Sequence, residues 1–210
     1  KAFAWLKEEM DDIRLGVGSG AHGEQTGKVM IALEPVLRNL RPDVLIVVGD
    51  VNSTVAATLT AVKLGIRVAH VEAGLRSFDR TMPEEINRIV TDALADYLFT
   101  PSPDGDEHLR REGIPETRIF RVGNIMIDSL VAVLPRIAES AVLTDLALTP
   151  RRYLTVTLHR PANVDDPAKL RGILDALGSL DPDTPVVFPI HPRTRKTLAG
   201  LGWTPPHAGF

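Results

Sequence analysis

The chain has 210 residues, and its 44% hydrophobic and 24% charged content is a globular balance that excludes an intrinsically disordered chain. A formal net charge of −3 supplies no bulk positive field for nucleic acid or an anionic membrane, so an anionic ligand must be held by local groups. There are no cysteines, which excludes disulfides and thiolate metal sites, and no apolar run approaches the ~20 residues of a membrane helix.

The first residues, KAFAWLKEEMDD, read as an amphipathic helix and lack the basic-then-apolar order of a signal peptide. Residues 16–27 (GVGSGAHGEQTG) match neither a Walker loop nor G-x-G-x-x-G after a strand, and read as a flexible loop. Strands are then predicted at 44–48, 66–71, 97–100 and 119–122, with helices at 56–64, 83–95, 106–111 and 126–139 between and after them. A loop at 141–150 precedes a restart of the pattern, with strands at 153–158 and 185–190 flanking a helix at 167–180. Val- and Ile-rich strands buried on both faces and separated by single helices argue for an α/β fold with parallel sheets.

Asp50, Glu72, Ser102, Asn124, His159 and His191 all fall at or just beyond the C-terminal end of a predicted strand. In a doubly wound sheet that edge binds ligands. Between the first strand and its helix, GDVNST offers a tight turn at Gly49 and capping side chains, as an anion loop or as a plain capped turn. In HVEAGLRS, strand alternation places His70 and Glu72 on one face. Glu72 is then a working carboxylate, or simply the salt-bridge partner of Arg76. In PEEINR, Pro83 and the acids that follow are ordinary helix-start signals, so Glu84 has a structural reading beside its chemical one. LHRPANV and PIHPRTRK each end a strand with an imidazole close to a guanidinium, a pairing able to neutralise phosphate oxygens. His22, His108 and His207 show no H-x-x-H or H-E-x-x-H spacing, so no metal is predicted.

Taken in order, GDVNST, HVEAGLRSFDR, MPEEINR, VGNIMID, LHRPANV and PIHPRTRK resemble the UDP-N-acetylglucosamine 2-epimerase family, over residues 18–196. The resemblance implies Rossmann-like parallel sheets of the glycosyltransferase-B type, with a cleft between an N-terminal domain at 1–145 and a UDP-binding domain beginning at 146–210. It implies interconversion of UDP-N-acetylglucosamine and UDP-N-acetylmannosamine, in the non-hydrolysing manner, for bacterial-type surface polysaccharide precursors. UDP is eliminated with loss of the C2 proton to give 2-acetamidoglucal, then re-adds as a proton reaches the other face. Asp50, Glu72, Glu84 and His159 match the catalytic positions, and Arg160, His191, Arg76, Asn124 and Gln25 the substrate-binding ones. No cofactor is expected; the partners implied are a UDP-sugar and a second copy of the chain, with no nucleic acid or membrane, in the cytoplasm.

Two departures stand out. Ala162 occupies a position where many members carry a glutamate. The family's opening strand with its phosphate loop and its later nucleotide-gripping segment are not in the sequence, so the chain is expected to be incomplete at both ends and weakly active alone. Other readings are a UDP-sugar-binding module or a B-type glycosyltransferase, neither of which needs proton chemistry at C2.

Overall fold

The computed structural model describes residues 13–181 and 183–205, and the helix expected at KAFAWLKEEMDD lies outside them. The chain divides into two compact units, split between Ala132 and Val133. In the first, helix α1 (His22–Leu40) precedes the alternating series β1 (Val44–Val48), α2 (Asn52–Lys63), β2 (Arg67–Val71), α3 (Pro83–Leu94), β3 (Tyr97–Thr100), α4 (Pro103–Arg111) and β4 (Ile119–Arg121). The strands form one parallel sheet in the order β1-β2-β3-β4. Helix α5 (Ile125–Ala138) follows and crosses the split between the units.

Register explains why the strand ends matter. Val48 pairs with Val71 and Thr100 with Arg121, so the turns that follow all leave the sheet along one edge. Beneath that edge, Leu37, Val47, Ala61, Val68, Ala73, Ala95, Leu98, Leu109 and Ile119 form the core. Each fully buried Val or Leu there is worth about 1.5–3 kcal/mol of transfer free energy. At the opposite end of α3, Arg118 donates to the carbonyls of Ala93 and Ala95, a cation placed where the helix dipole favours one.

Two expectations need correcting. Residues 22–27, read as part of a flexible loop, open α1, whose Val29 and Leu37 are buried and which packs on α2. Packing overrides the poor helix propensity of Gly23, Gly27 and Pro35. The expectation of strands buried on both faces holds for β2, where Val68, Ala69 and His70 are buried in succession, but not for β1. There Val47 is buried while Ile46 and Val48 are 64% and 50% exposed, since nothing among the described residues covers that face.

In the second unit, α6 (Val142–Asp145) occupies part of the expected loop, followed by β5 (Leu154–Thr155), α7 (Pro161–Val164), α8 (Pro167–Gly178), β6 (Val186–Val187) and α9 (Pro192–Leu201). The two strands pair in parallel and are shorter than predicted. Pro189 has no N–H to continue the ladder, and each strand runs on into a proline-started helix. Val164, Leu170 and Leu174 centre a small core with Leu158, Phe188, Leu198, Leu201 and Trp203 around it. Among the described residues, no helix is long and apolar enough to cross a membrane.

Candidate active site

In the first unit the site is built from the turns after β1 and β2 and the start of α3. Gly49, at φ 69°, donates its N–H to Val71 O (3.1 Å) and swings the chain across the sheet edge. Asp50 follows, half-buried, and its Oδ2 accepts from Nε (2.9 Å) and Nη2 (2.7 Å) of Arg88. Its carbonyl accepts from Asn87 Nδ2 at 2.8 Å. Two side chains on one face of α3 therefore hold the β1–α2 turn in place.

Strand β2 ends at Val71, one residue short of the alternation predicted for it. Glu72 adopts φ 72°, the left-handed region where a non-glycine residue is uncommon. His70 is fully buried, whereas Glu72 is half-buried, with Oε2 3.5 Å from where a Cβ on Gly49 would lie. The parallel register has thus brought Glu72 beside the Gly49-Asp50 turn.

The adjacent acids of α3 do different things. Glu85 is buried and accepts from Ser77 N (2.9 Å), Ser77 Oγ (3.0 Å), Phe78 N (3.0 Å) and Arg88 Nη1 (2.8 Å). Burial pushes its carboxyl up, but these donors outweigh it and hold the group below the ordinary value of 4.5. Glu84 instead lines a cavity of about 400 Å³ with His22, Gln25, Asn52, Ser53 and Asn87. Gln25 is fixed there by Asn52 Nδ2, which donates to its Oε1 at 2.8 Å, and by its own bond to Gly18 O at 3.2 Å. Among the described residues, neither Glu72 nor Glu84 makes a hydrogen bond or ion pair. Among the described residues, the buried carboxylates Glu85, Asp92 and Asp106 all have partners at both oxygens; these two half-buried ones have none.

Arg76 is not free for a ligand, and its partner is not Glu72. The side chain is 1% exposed, paired with Asp92 (2.7 Å) and with Glu112 (2.7 and 2.6 Å), and it also donates to Leu75 O. Burial opposes the charge, but Glu112 and Asp92 bind the proton more firmly than in an ordinary arginine. Four of the five guanidinium N–H groups are so engaged, which leaves Arg76 holding the 72–76 turn to α3 and α4. Asn124 lies beyond β4, at the far end of the sheet from β1; its Oδ1 accepts from Met126 N (2.9 Å) and opens α5.

In the second unit, the parallel pairing brings His159 and His191 together, with ring centroids 6.1 Å apart and both side chains exposed. His191 Nδ1 accepts from Arg193 N (3.2 Å) and caps α9, which puts the proton of the neutral ring on Nε2. Thr157 Oγ1 lies 3.3 Å from His159 Nδ1. Arg160 turns into α7 through its backbone, and its exposed guanidinium has no partner among the described residues. Arg193, by contrast, is engaged by Asp165 through two 2.6 Å bonds.

The family model described as UDP-N-acetylglucosamine 2-epimerase matches residues 5–205. The chain belongs to the UDP-N-acetylglucosamine 2-epimerase family. It is 45% identical over 198 residues to a UDP-N-acetylglucosamine 2-epimerase homolog of Methanococcus maripaludis, covering 93% of this chain and 55% of the relative. It is 40% identical over 203 residues to the UDP-2,3-diacetamido-2,3-dideoxy-D-glucuronate 2-epimerase of Pseudomonas aeruginosa, covering 95% and 56%. The crystal structure of the Methanocaldococcus jannaschii UDP-GlcNAc 2-epimerase in complex with UDP-GlcNAc and UDP superposes with a TM-score of 0.81 at 43% identity, over 95% of this chain and 56% of that one. The chain thus spans about half the length of the relatives it matches.

Against this family background, sequence reasoning passed over Asn87, Arg88 and Asp92. Their spacing carried a signal. Glu84, Asn87 and Arg88 recur at helical intervals and meet the β1–α2 turn, while Glu85, Arg88 and Asp92 continue along α3 into its buried side.

Proposed function

We propose that the protein carrying this chain is a UDP-N-acetylglucosamine 2-epimerase, interconverting UDP-N-acetylglucosamine and UDP-N-acetylmannosamine as a cytoplasmic homodimer. Asp50, Glu72 and Glu84 handle the proton at C2. One carboxylate takes it as the C1–O bond to UDP breaks, giving 2-acetamidoglucal and UDP, and a proton returns to the opposite face as UDP re-adds. His159 stands at the departing diphosphate, where an imidazole can donate a hydrogen bond to the developing charge. Arg160, free to fork onto two phosphate oxygens, and His191 bind the nucleotide end. Asn124 and Gln25 contribute polar contacts, and the bound Arg76 acts through the 72–76 turn rather than on the sugar.

The observation that supports this reading is the pair of unengaged, half-buried carboxylates, Glu72 after β2 and Glu84 at the start of α3. A module that only binds an anionic nucleotide sugar gains nothing from half-buried carboxylates without partners, and glycosyl transfer needs no base at C2. Proton NMR of UDP-N-acetylglucosamine with a family-length protein in D2O tests it. The C2 proton signal should disappear as UDP-N-acetylmannosamine accumulates. The Pseudomonas aeruginosa relative makes a UDP-2,3-diacetamido sugar the second substrate to try. Absence of C2 exchange in any UDP-2-acetamido sugar would sink the proposal.

A further inference from the structure

His70 is a buried group that the proposed chemistry leaves unused. It is 0% exposed, and both ring nitrogens face acceptors. Nε2 lies 2.9 Å from Gly49 O, and Nδ1 lies 2.6 Å from Asp92 Oδ1. A carbonyl oxygen can only accept, so Nε2 carries a proton. With Nε2 so occupied, a further proton must lie on the line between Nδ1 and Asp92. The other oxygen of Asp92 accepts from Gly74 N (3.0 Å) and Arg76 Nη1 (2.7 Å), and Arg76 runs on to Glu112. One buried chain of hydrogen bonds therefore joins the turn that carries Asp50 to the turn that carries Glu72.

Both turns need holding. Gly49, Glu72 and Gly74 all have positive φ, at 69°, 72° and 79°. A left-handed backbone at a glutamate is costly and persists only where its surroundings over-determine it. Apolar packing would fill the same space, but it would fix neither the Gly49 carbonyl nor the Gly74 amide.

Resting on the epimerase reading, we propose that His70 is a positioning residue for C2 proton transfer: its Nε2–H fixes the Gly49-Asp50 turn while its Nδ1 anchors Asp92, so that the Asp50 and Glu72 carboxylates keep a set separation at the sheet edge. The ring acts through these two turns and touches no substrate.

The two nitrogens can be tested separately. His70→Asn keeps an amide near Nδ1 for Asp92 and loses Gly49; His70→Gln keeps one near Nε2 for Gly49 and loses Asp92. In a urea titration of a family-length protein His70→Gln should be the less stable of the two, since it strips a partner from the buried Asp92 carboxylate while His70→Asn frees only a carbonyl. Steady-state kinetics should separate them. His70→Asn releases the Gly49-Asp50 turn and should lose about 10–100-fold in kcat, because misplacing a reacting group by about 1 Å costs up to ~100-fold. His70→Gln should lose about threefold or less, because Asp92 still accepts from Gly74 N and Arg76 and so keeps most of its hold on the Glu72 turn. KM should stay within about twofold of the parent for both. A kcat loss that follows the stability loss equally in both variants overturns the proposal, as does an unchanged kcat in His70→Asn. A parent protein without C2 exchange overturns the epimerase reading and this inference with it, whereas C2 exchange in the parent and full kcat in His70→Asn removes the inference alone.

Discussion

Replacing Gly74 with alanine tests the packing that holds the 72–76 turn against α4. A Cβ at position 74 would lie 2.3 Å from Gly105 O, 2.7 Å from Gly105 C and 2.9 Å from Gly105 Cα. All three are backbone atoms in the first turn of α4, so no side chain can swing aside. Alanine at φ 79° also occupies the left-handed region, which costs about 1–2 kcal/mol for an L-residue. Forcing the contact apart adds about 1–3 kcal/mol. Gly113 provides the control: its φ is 83°, but a Cβ there meets nothing within 4 Å. Gly113→Ala should therefore show the backbone cost alone, and the loss of unfolded-state entropy on introducing alanine is common to both variants. The difference between them, read from urea midpoints at unchanged m, should be about 1–3 kcal/mol with Gly74→Ala the less stable. Equal destabilisation, to within about 0.5 kcal/mol, would refute a tight backbone contact at this point.

Removing the charge at Asp92 (Asp92→Asn) breaks its pairing with His70 and Arg76 and should destabilise the first unit by about 3–5 kcal/mol in the same titration. Glu72→Gln and Glu84→Gln, which sever no bond among the described residues, should leave urea midpoints nearly unchanged. They should still suppress deuterium incorporation at C2 by at least about 100-fold, the usual scale for losing a positioned acid or base, while isothermal titration finds UDP binding retained. Acid lability should follow Glu85 and Asp106. Burial pushes both carboxyls up, but the Ser77 and Phe78 amides for one, and Thr100 and Arg121 for the other, hold them below their ordinary values of 4.5 and 3.8. Folded values below unfolded ones mean that this stabilisation is fully present above about pH 4.5 and is lost as pH falls through the folded values. Glu85→Gln should flatten that slope as pH falls below about 4.5 in pH-dependent urea midpoints.

Much of the fold was legible because short β-branched runs leave few alternatives. The bounds read for β1 and β3 agree with the structure to the residue, and the helices between strands differ from the prediction mainly at their first turns. Helix α1 was hidden by Gly23, Gly27 and Pro35, since its stability comes from burying Val29 and Leu37 against α2 rather than from propensity. In the second unit, Pro189 and the two-stranded ladder cut short what an apolar run suggested. At the site, strand ends pointed to Asp50 and Glu72, but Arg76 shows what such reasoning cannot reach. Its partners, Asp92 and Glu112, are 16 and 36 residues away in sequence and are brought to it by α3 and α4. Likewise, Glu84 and Glu85 cannot be told apart until the Ser77 and Phe78 amides close on one of them.

The left-handed backbone at Glu72 has a consequence for anyone breeding hardier forms of this chain. Glycine would relieve a strain of about 1–2 kcal/mol there, and with no bond among the described residues to lose, heat-resistance screening should enrich it readily. The survivors would be robust, and in the epimerase reading they would also be without a working carboxylate. Position 72 is thus where selection for durability and selection for turnover pull in opposite directions, and a library scored on only one of them would report a winner that fails the other.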